Sequence, residues 1–164
     1  MQEIPLTQGQ VALVDDEDYE YLSQFKWRVT FNKTSYYAVR WANRRKKDQK
    51  LISMHRDIMN TPSNLEIDHI DHDTLNNQKS NLRNCTHLQN KRNTIKRENK
   101  TSKYLGVHLV KFKNTASYRA CIYIMKRRID LGYFKDEKLA AMAYDKKARK
   151  LFGEFANLNF PYEP

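Results

Sequence analysis

The stretch Ile67 to Asn90, IDHIDHDTLNNQKSNLRNCTHLQN, constrains this chain more than any other. Leu65 to Ile70 and Leu82 to Cys85 have the length and make-up of two short strands, and the polar, turn-rich run Asp71 to Asn81 separates them. Thr86 and Gln89 follow with the spacing of a capping box, in which each side chain satisfies a backbone N–H of the other at a helix start. Strand, long loop, strand and helix are therefore expected in that order. Asn81 and Asn90 then stand twelve and twenty-one residues after His69, with Asn90 in the first turns of the helix.

The residue types in that frame suit hydrolysis. Asp68 is a hard oxygen ligand, and His69 beside it has an ordinary pKa of about 6.5, low enough to take a proton from water near neutral pH. Magnesium prefers oxygen ligands and keeps several waters, so one carboxylate and one further oxygen, which Asn90 can supply, are sufficient protein ligation. The pattern resembles the HNH endonucleases, the ββα-metal nucleases. It is closest to the phage and intron-encoded members, with Asp-His, then Asn-Leu-Arg, then an Asn on the following helix. That resemblance implies Asp68 and Asn90 as metal ligands, His69 as general base, and Asn81 as the residue that orients the imidazole. It extends more loosely over His55 to Met59, where His55 is either an accessory catalytic or phosphate-contacting group or a structural helix histidine. Many HNH enzymes carry His in the last position; Asn90, a neutral amide, implies Mg2+ (or Mn2+) rather than zinc. Two plainer readings stand beside this one. Asp, Asn and His are ordinary turn residues, and His69, His72, His87 and Cys85 invite a zinc site, although a zinc-bound His69 could not act as a base.

A net charge of +11, with 30 Lys plus Arg, points to a polyanionic partner, and the sequence has no apolar run of membrane-spanning length and no basic amphipathic helix. Double-stranded DNA is the expected partner, with no membrane. The amino terminus, MQEIPLTQGQ, has neither a basic start nor an apolar signal core, and the two cysteines, Cys85 and Cys121, fall in different modules. Both features suit a reducing cytoplasm, that of a bacterial or phage-infected host cell.

The 164 residues are read as α+β, a ββα-metal nuclease module followed by a three-stranded antiparallel sheet packed on one helix. Residues 1–90 form the nuclease domain with a β-rich amino-terminal lobe, 91–103 a basic linker, and 104–164 a DNA-binding domain. In the lobe, the acidic cluster Asp15 to Glu20 reads as a solvated helix start, and Phe25 to Phe31 and Tyr36 to Ala42 as a hairpin. Trp27, Phe31, Tyr37 and Trp41 either build its core or stack on bases. Arg40 and Arg44 to Lys47 are exposed basic candidates for phosphate. Leu51 to Met59 has helical spacing. The linker contributes Lys91, Arg92, Lys96 and Arg97 as backbone contacts, and Arg83 is a further candidate.

Beyond the linker, Tyr104 to Phe112, Ser117 to Met125 and Arg128 to Phe134 read as strands, and Asp136 to Phe152 as a helix ended by Gly153. Leu139, Met142, Ala143 and Leu151 are its expected apolar stripe, covering the face of Ile122. SKYLGV, LGYF, AAMAYDKKARKLFG and Ala156 to Pro161 resemble the plant ethylene-response-factor type DNA-binding domain. In that family the sheet lies in the major groove, which implies His108, Phe112, Cys121, Tyr123 and Arg128 as the groove-facing set, with Arg128 suited to guanine. Arg119, Lys111 and Lys113 are better placed for phosphate, and for Tyr123 and Phe112 the plainer reading is that they shield the sheet.

The expected function is metal-dependent DNA endonuclease, a site-specific homing endonuclease or nickase in which a monomer nicks and a dimer cuts both strands. The alternatives are a non-catalytic DNA-binding regulator on a degenerate nuclease fold, and an RNA-binding module.

Overall fold

The computed structural model describes residues 1–42, 50–93 and 101–161. The basic run Arg44 to Lys47 and the linker residues Lys96 and Arg97 lie outside them. The chain divides into two compact units, Met1–Asn90 and Lys91–Pro164, and the architecture is α+β.

The first unit opens on an antiparallel pair, β1 (Gln2–Pro5) and β2 (Val11–Val14), then helix α1 (Asp16–Leu22). Asp16, Glu17 and Asp18 occupy the first turn of α1, where negative charge meets the positive end of the helix dipole. A sheet in the order β3 (Arg28–Phe31), β4 (Tyr36–Trp41), β5 (Leu51–Ser53) follows. Val29 and Ala38 on one of its faces join Ile4, Leu6, Ala12, Val14, Leu22, Trp27 and Met54 in the core. Trp27 is buried with its indole N–H donating to the Leu22 carbonyl at 2.8 Å, so burial leaves no polar atom unpaired.

Three expectations need correction here. Leu51 to Met59 is not one helix: Leu51–Ser53 pairs with the open edge of β4 as β5, and only Met54–Met59 is helical, as α2. A nine-residue periodicity is a weak signal against a strand edge whose N–H and C=O groups need partners. Of the four aromatics, Trp27 is core, whereas Phe31 and Trp41 are exposed. Arg40 is not an exposed phosphate contact. Its guanidinium lies 3.9 Å from the Phe25 ring centroid and pairs with Asp57 at 2.8 Å.

After Asn60, which ends α2 in the left-handed conformation, come β6 (Glu66–His69), a loop, β7 (Leu82–Cys85) and helix α3 (His87–Asn90). β6 and β7 pair antiparallel, with Asp68 opposite Arg83 and His69 opposite Leu82. The capping box forms: the Gln89 carbonyl accepts the Thr86 backbone N–H at 2.8 Å, and the Thr86 hydroxyl accepts that of Gln89 at 3.3 Å.

The second unit is a sheet of β8 (Val107–Lys111), β9 (Ala116–Ile124) and β10 (Arg127–Phe134), ordered β10-β9-β8, with helix α4 (Glu137–Phe152) packed on it. Asp136 caps α4 by accepting the Leu139 N–H at 2.9 Å, and Gly153 ends it with φ of 55°. The buried face of α4 is Ala140, Ala141, Tyr144, Asp145 and Ala148, so the expected stripe is wrong at Leu139 and Met142, which are exposed. Alanines let the helix lie close to the sheet, and Leu139 and Met142 are left outside that contact while Tyr144 and Leu151 pack with Ile122. Asp145, buried on the same face, accepts the backbone N–H groups of Asn159 and Phe160 and fastens the closing segment to the helix.

Candidate active site

Strand alternation sorts the chemistry of β6 onto two faces. Glu66 and Asp68 face one way with Arg83 and Cys85 of β7, and α3 packs on that side; Ile67 and His69 face the other.

On the α3 side Asp68 is buried and bonded to Arg83, whose Nε and Nη2 both donate to Asp68 Oδ2, at 2.8 and 2.6 Å. Arg83 is therefore not an exposed phosphate contact; buried charge requires a partner, and its partner is Asp68. Two residues along, Glu66 accepts from His87 Nδ1 at 2.7 Å and from Asn90 Nδ2 at 2.8 Å. Those two bonds hold the Glu66 carboxyl below its usual range, Asn90 contributing most. A carboxylate accepts and does not donate, so Glu66 fixes which end of the Asn90 amide faces it and turns the amide oxygen away. Sequence reasoning missed Glu66; its signal was its position two residues before Asp68 on a strand.

On the opposite side the His69 ring meets His55 and Tyr37 edge-on, at centroid distances of 5.3 and 6.3 Å, and Tyr37 and His55 are 5.7 Å apart. Burial pushes His69 below its ordinary pKa, against the opposing pulls of the Asn77 side chain and of Asp71, Asp68 and Asp73. Burial takes His55 further, to about 3, with His69 and Arg56 adding to the fall. Both imidazoles are thus neutral at pH 7, which is the state a proton acceptor needs.

Asn77 is the carboxamide whose pull on the imidazole opposes burial; its own Nδ2 donates to the Leu75 carbonyl at 3.0 Å. Asn81 Oδ1 accepts the Asp71 N–H at 3.0 Å and its Nδ2 donates to the Asn76 carbonyl at 2.8 Å, while its backbone carbonyl accepts the Ile70 N–H at 2.9 Å. Both ends of its side chain are spent closing the loop that carries Asn77. That loop is anchored from outside as well: Asn77 N–H donates to Leu13 of β2, Lys79 N–H to Asp15 Oδ2 at 2.7 Å, and Lys79 Nζ to Glu17 and Asp18. The acidic cluster read as a solvated helix start is the clamp on this loop.

The donors on the α3 side fit a hard divalent cation. Asp68 and Glu66 are carboxylates, Asn90 adds an amide oxygen, and Cys85, its thiol pushed up to about 11 chiefly by burial, stays protonated and offers no thiolate. Among the described residues no group of three or more His, Cys, Asp or Glu stands ready to hold an ion. The zinc-type set is dispersed accordingly: His69 packs against His55 and Tyr37 on one face of β6, and His87 bonds with Glu66 on the other.

Residues 60–92, the span holding this arrangement, match the family model for HNH endonuclease. The chain is also 32% identical over 157 residues, 92% of its own length and 75% of the relative's, to an uncharacterised HNH endonuclease of Acanthamoeba polyphaga mimivirus. The chain belongs to the HNH endonuclease family. No solved structure matches it.

In this HNH endonuclease the remaining sequence candidates fall in the second unit. Tyr123, Phe112 and Arg128 are exposed, and Phe112 rests on Tyr133 with centroids 6.1 Å apart. Arg128 and Arg119 both turn to Asp130, at 3.2 and 3.9 Å. Lys111 and Lys113 are exposed and His108 is half-buried. Cys121 is buried, so it is not available as a groove-facing side chain. Lys91 is exposed, and Arg92 stacks over Phe152 at 4.4 Å. No helix among the described residues is long and apolar enough to cross a membrane.

Proposed function

We propose that this HNH endonuclease is a divalent-metal-dependent, site-specific DNA-cutting enzyme of homing type. Residues 1–90 would cut one strand, 91–103 act as a basic tether, and 104–164 read the site as an ethylene-response-factor type domain. The observation that carries the catalytic half is His69, buried and neutral, next to Asp68, buried and charge-balanced by Arg83. The two are consecutive at the end of β6 with side chains on its opposite faces, so the scissile phosphate would lie at that strand end, between the two faces.

His69 is the general base: its neutral ring has a lone pair for a water proton, and Asn77, whose pull on the ring opposes burial, is the proposed positioning residue. Tyr37 and His55 wall the ring and exclude bulk solvent. Asp68 and Asn90 are the residues that would hold magnesium or manganese, and Glu66 points the Asn90 oxygen toward it. Bound there, the cation supplies Lewis-acid stabilisation of the phosphate and the leaving 3′-oxygen. Asn81 acts on His69 at one remove, by holding the Asn77 loop closed.

The experiment is the conversion of supercoiled plasmid carrying candidate phage sequence to open circles, with magnesium or with chelator, by wild type, His69→Ala and Asn77→Ala. Wild type should nick only with the metal. His69→Ala should bind DNA without cutting, and Asn77→Ala should lose on the order of tenfold or more in rate with half-saturating DNA unchanged. Cutting by His69→Ala at the wild-type rate would overturn the base assignment.

A further inference from the structure

The first unit spends most of its described arginines internally. Arg40 pairs with Asp57, Arg83 with Asp68, and Arg56 donates to the Leu65 carbonyl at 2.7 Å. Arg28 is different. It is exposed, forms no hydrogen bond or ion pair with a described residue, and lies over the Trp41 ring with its guanidinium carbon 4.7 Å from the centroid. Trp41 is itself 43% exposed. A stacked guanidinium keeps its N–H fork free at the edges, which matches the oxygens of a phosphate.

The register says which way this pair faces. Thr30 lies opposite Tyr37 and Arg28 opposite Val39, so Arg28, Thr30, Tyr37, Val39 and Trp41 share the sheet face opposite to Val29 and Ala38; Val39 is buried there, while Arg28 and Trp41 are exposed and Thr30 and Tyr37 half-buried. Tyr37 is also the residue whose ring borders His69. The face is thus continuous from the catalytic histidine, through Tyr37 and Thr30, to Arg28. From Thr30 to Arg28 is roughly 7 Å along the strand, the rise of about two nucleotides of one DNA strand.

We propose that this face is a second DNA-contact surface, on which Arg28, held by Trp41, grips a backbone phosphate a few nucleotides from the bond being cut. The occupant is the substrate strand itself. Exposed aromatic rings would otherwise invite a protein partner, but a cation with no ion pair among the described residues and the continuity with His69 both favour a phosphodiester chain. The inference rests on the reading of His69 as the base.

The test uses the full-length chain with R28Q, R28K and W41L, measuring nicking rate against DNA concentration at several salt concentrations. R28Q should raise the half-saturating DNA concentration roughly three- to tenfold and lower the slope of log affinity against log salt by about 0.9, the contribution of one phosphate. Its rate at saturating DNA should stay within about twofold of wild type. R28K should keep the slope, and W41L should weaken binding less than R28Q does. Unchanged half-saturation and slope in R28Q would overturn the proposal. Repeating the salt series by gel shift in a His69→Ala background separates the two readings. If His69→Ala still cuts, the base assignment fails; if R28Q binds with the wild-type slope in that series, the Arg28 contact fails.

Discussion

His55 packs edge-on against His69 at a centroid distance of 5.3 Å, and its burial has a consequence for stability that does not depend on catalysis. Its pKa in the fold is about 3, pressed down by burial first and by His69 and Arg56 second, with Tyr37 the other ring against it. An unfolded chain returns it to about 6.5. The unfolded state therefore binds the extra proton throughout the window between those values, and stability falls as pH drops from 6.5 toward 3. Above pH 6.5 nothing is lost. His69, shifted in the same direction, adds to the slope. His55→Phe, which keeps a ring against Tyr37 and His69 without a titrating group, should flatten the fall of the urea midpoint between pH 6.5 and 4.5 and leave the midpoint at pH 8 near that of wild type. An equally steep fall in the variant would place the acid sensitivity elsewhere. None of this was legible in the sequence, because whether a helix histidine is buried depends on residues brought from β4 and β6. Asp68 and His69, by contrast, were legible because they are adjacent, and the capping box because its partners are three residues apart. Asn77 and Asn81 show the limit of spacing: two carboxamides four residues apart in one loop look alike until the loop is closed, when Asn81 bonds the loop at both ends of its amide and Asn77 is the one that pulls on the pKa of His69.

At the scale of elements, the local signals of the second unit were strong and the packing signals weak. Three strands, a capped helix and its terminal glycine follow from alternation, Asp136 and Gly153. The contact face of α4 did not, since Ala140, Ala141 and Ala148 carry little hydrophobicity in sequence; they matter because they are small enough to lie against β9. Gly106 belongs to the same close fit. Its φ is +73°, and a Cβ there would lie 2.0 Å from a ring carbon of Tyr144 and 2.8 Å from the Cys121 carbonyl oxygen. Tyr144 is buried on the contact face of α4, with its hydroxyl pushed up to about 12 chiefly by burial, so moving its ring disturbs that packing. Gly106→Ala combines left-handed backbone strain with overpacking and should cost on the order of 3 kcal/mol. Chemical denaturation followed by circular dichroism would show it as a lower midpoint. A neutral substitution would mean that α4 shifts on the sheet at little cost.

The whole molecule divides its charge unevenly. Residues 1–90 contain 12 Lys plus Arg and 12 Asp plus Glu, whereas residues 91–164 contain 18 against 7. The first unit is electrically neutral, its acids spent on clamping the Asn77 loop and flanking the site, so the chain's +11 belongs to the second. Long-range attraction to a polyanion depends on net charge, whereas the orientation of a scissile bond depends on a few fixed contacts near it. The second unit should then set how tightly and how salt-sensitively the enzyme holds DNA of any sequence, and the first should set what happens once DNA is held. Neutralising Lys111 and Lys113, both exposed at the turn between β8 and β9, tests that division. The Lys111→Gln, Lys113→Gln double variant should weaken binding to specific and non-specific DNA alike and reduce the salt slope by up to about 1.8, two phosphates' worth. Its rate at saturating DNA should remain that of wild type, because neither lysine is part of the nuclease unit. A salt slope equal to the wild-type value would mean that this turn does not touch the backbone. A fall in the saturated rate would mean that the second unit also helps to position the bond being cut.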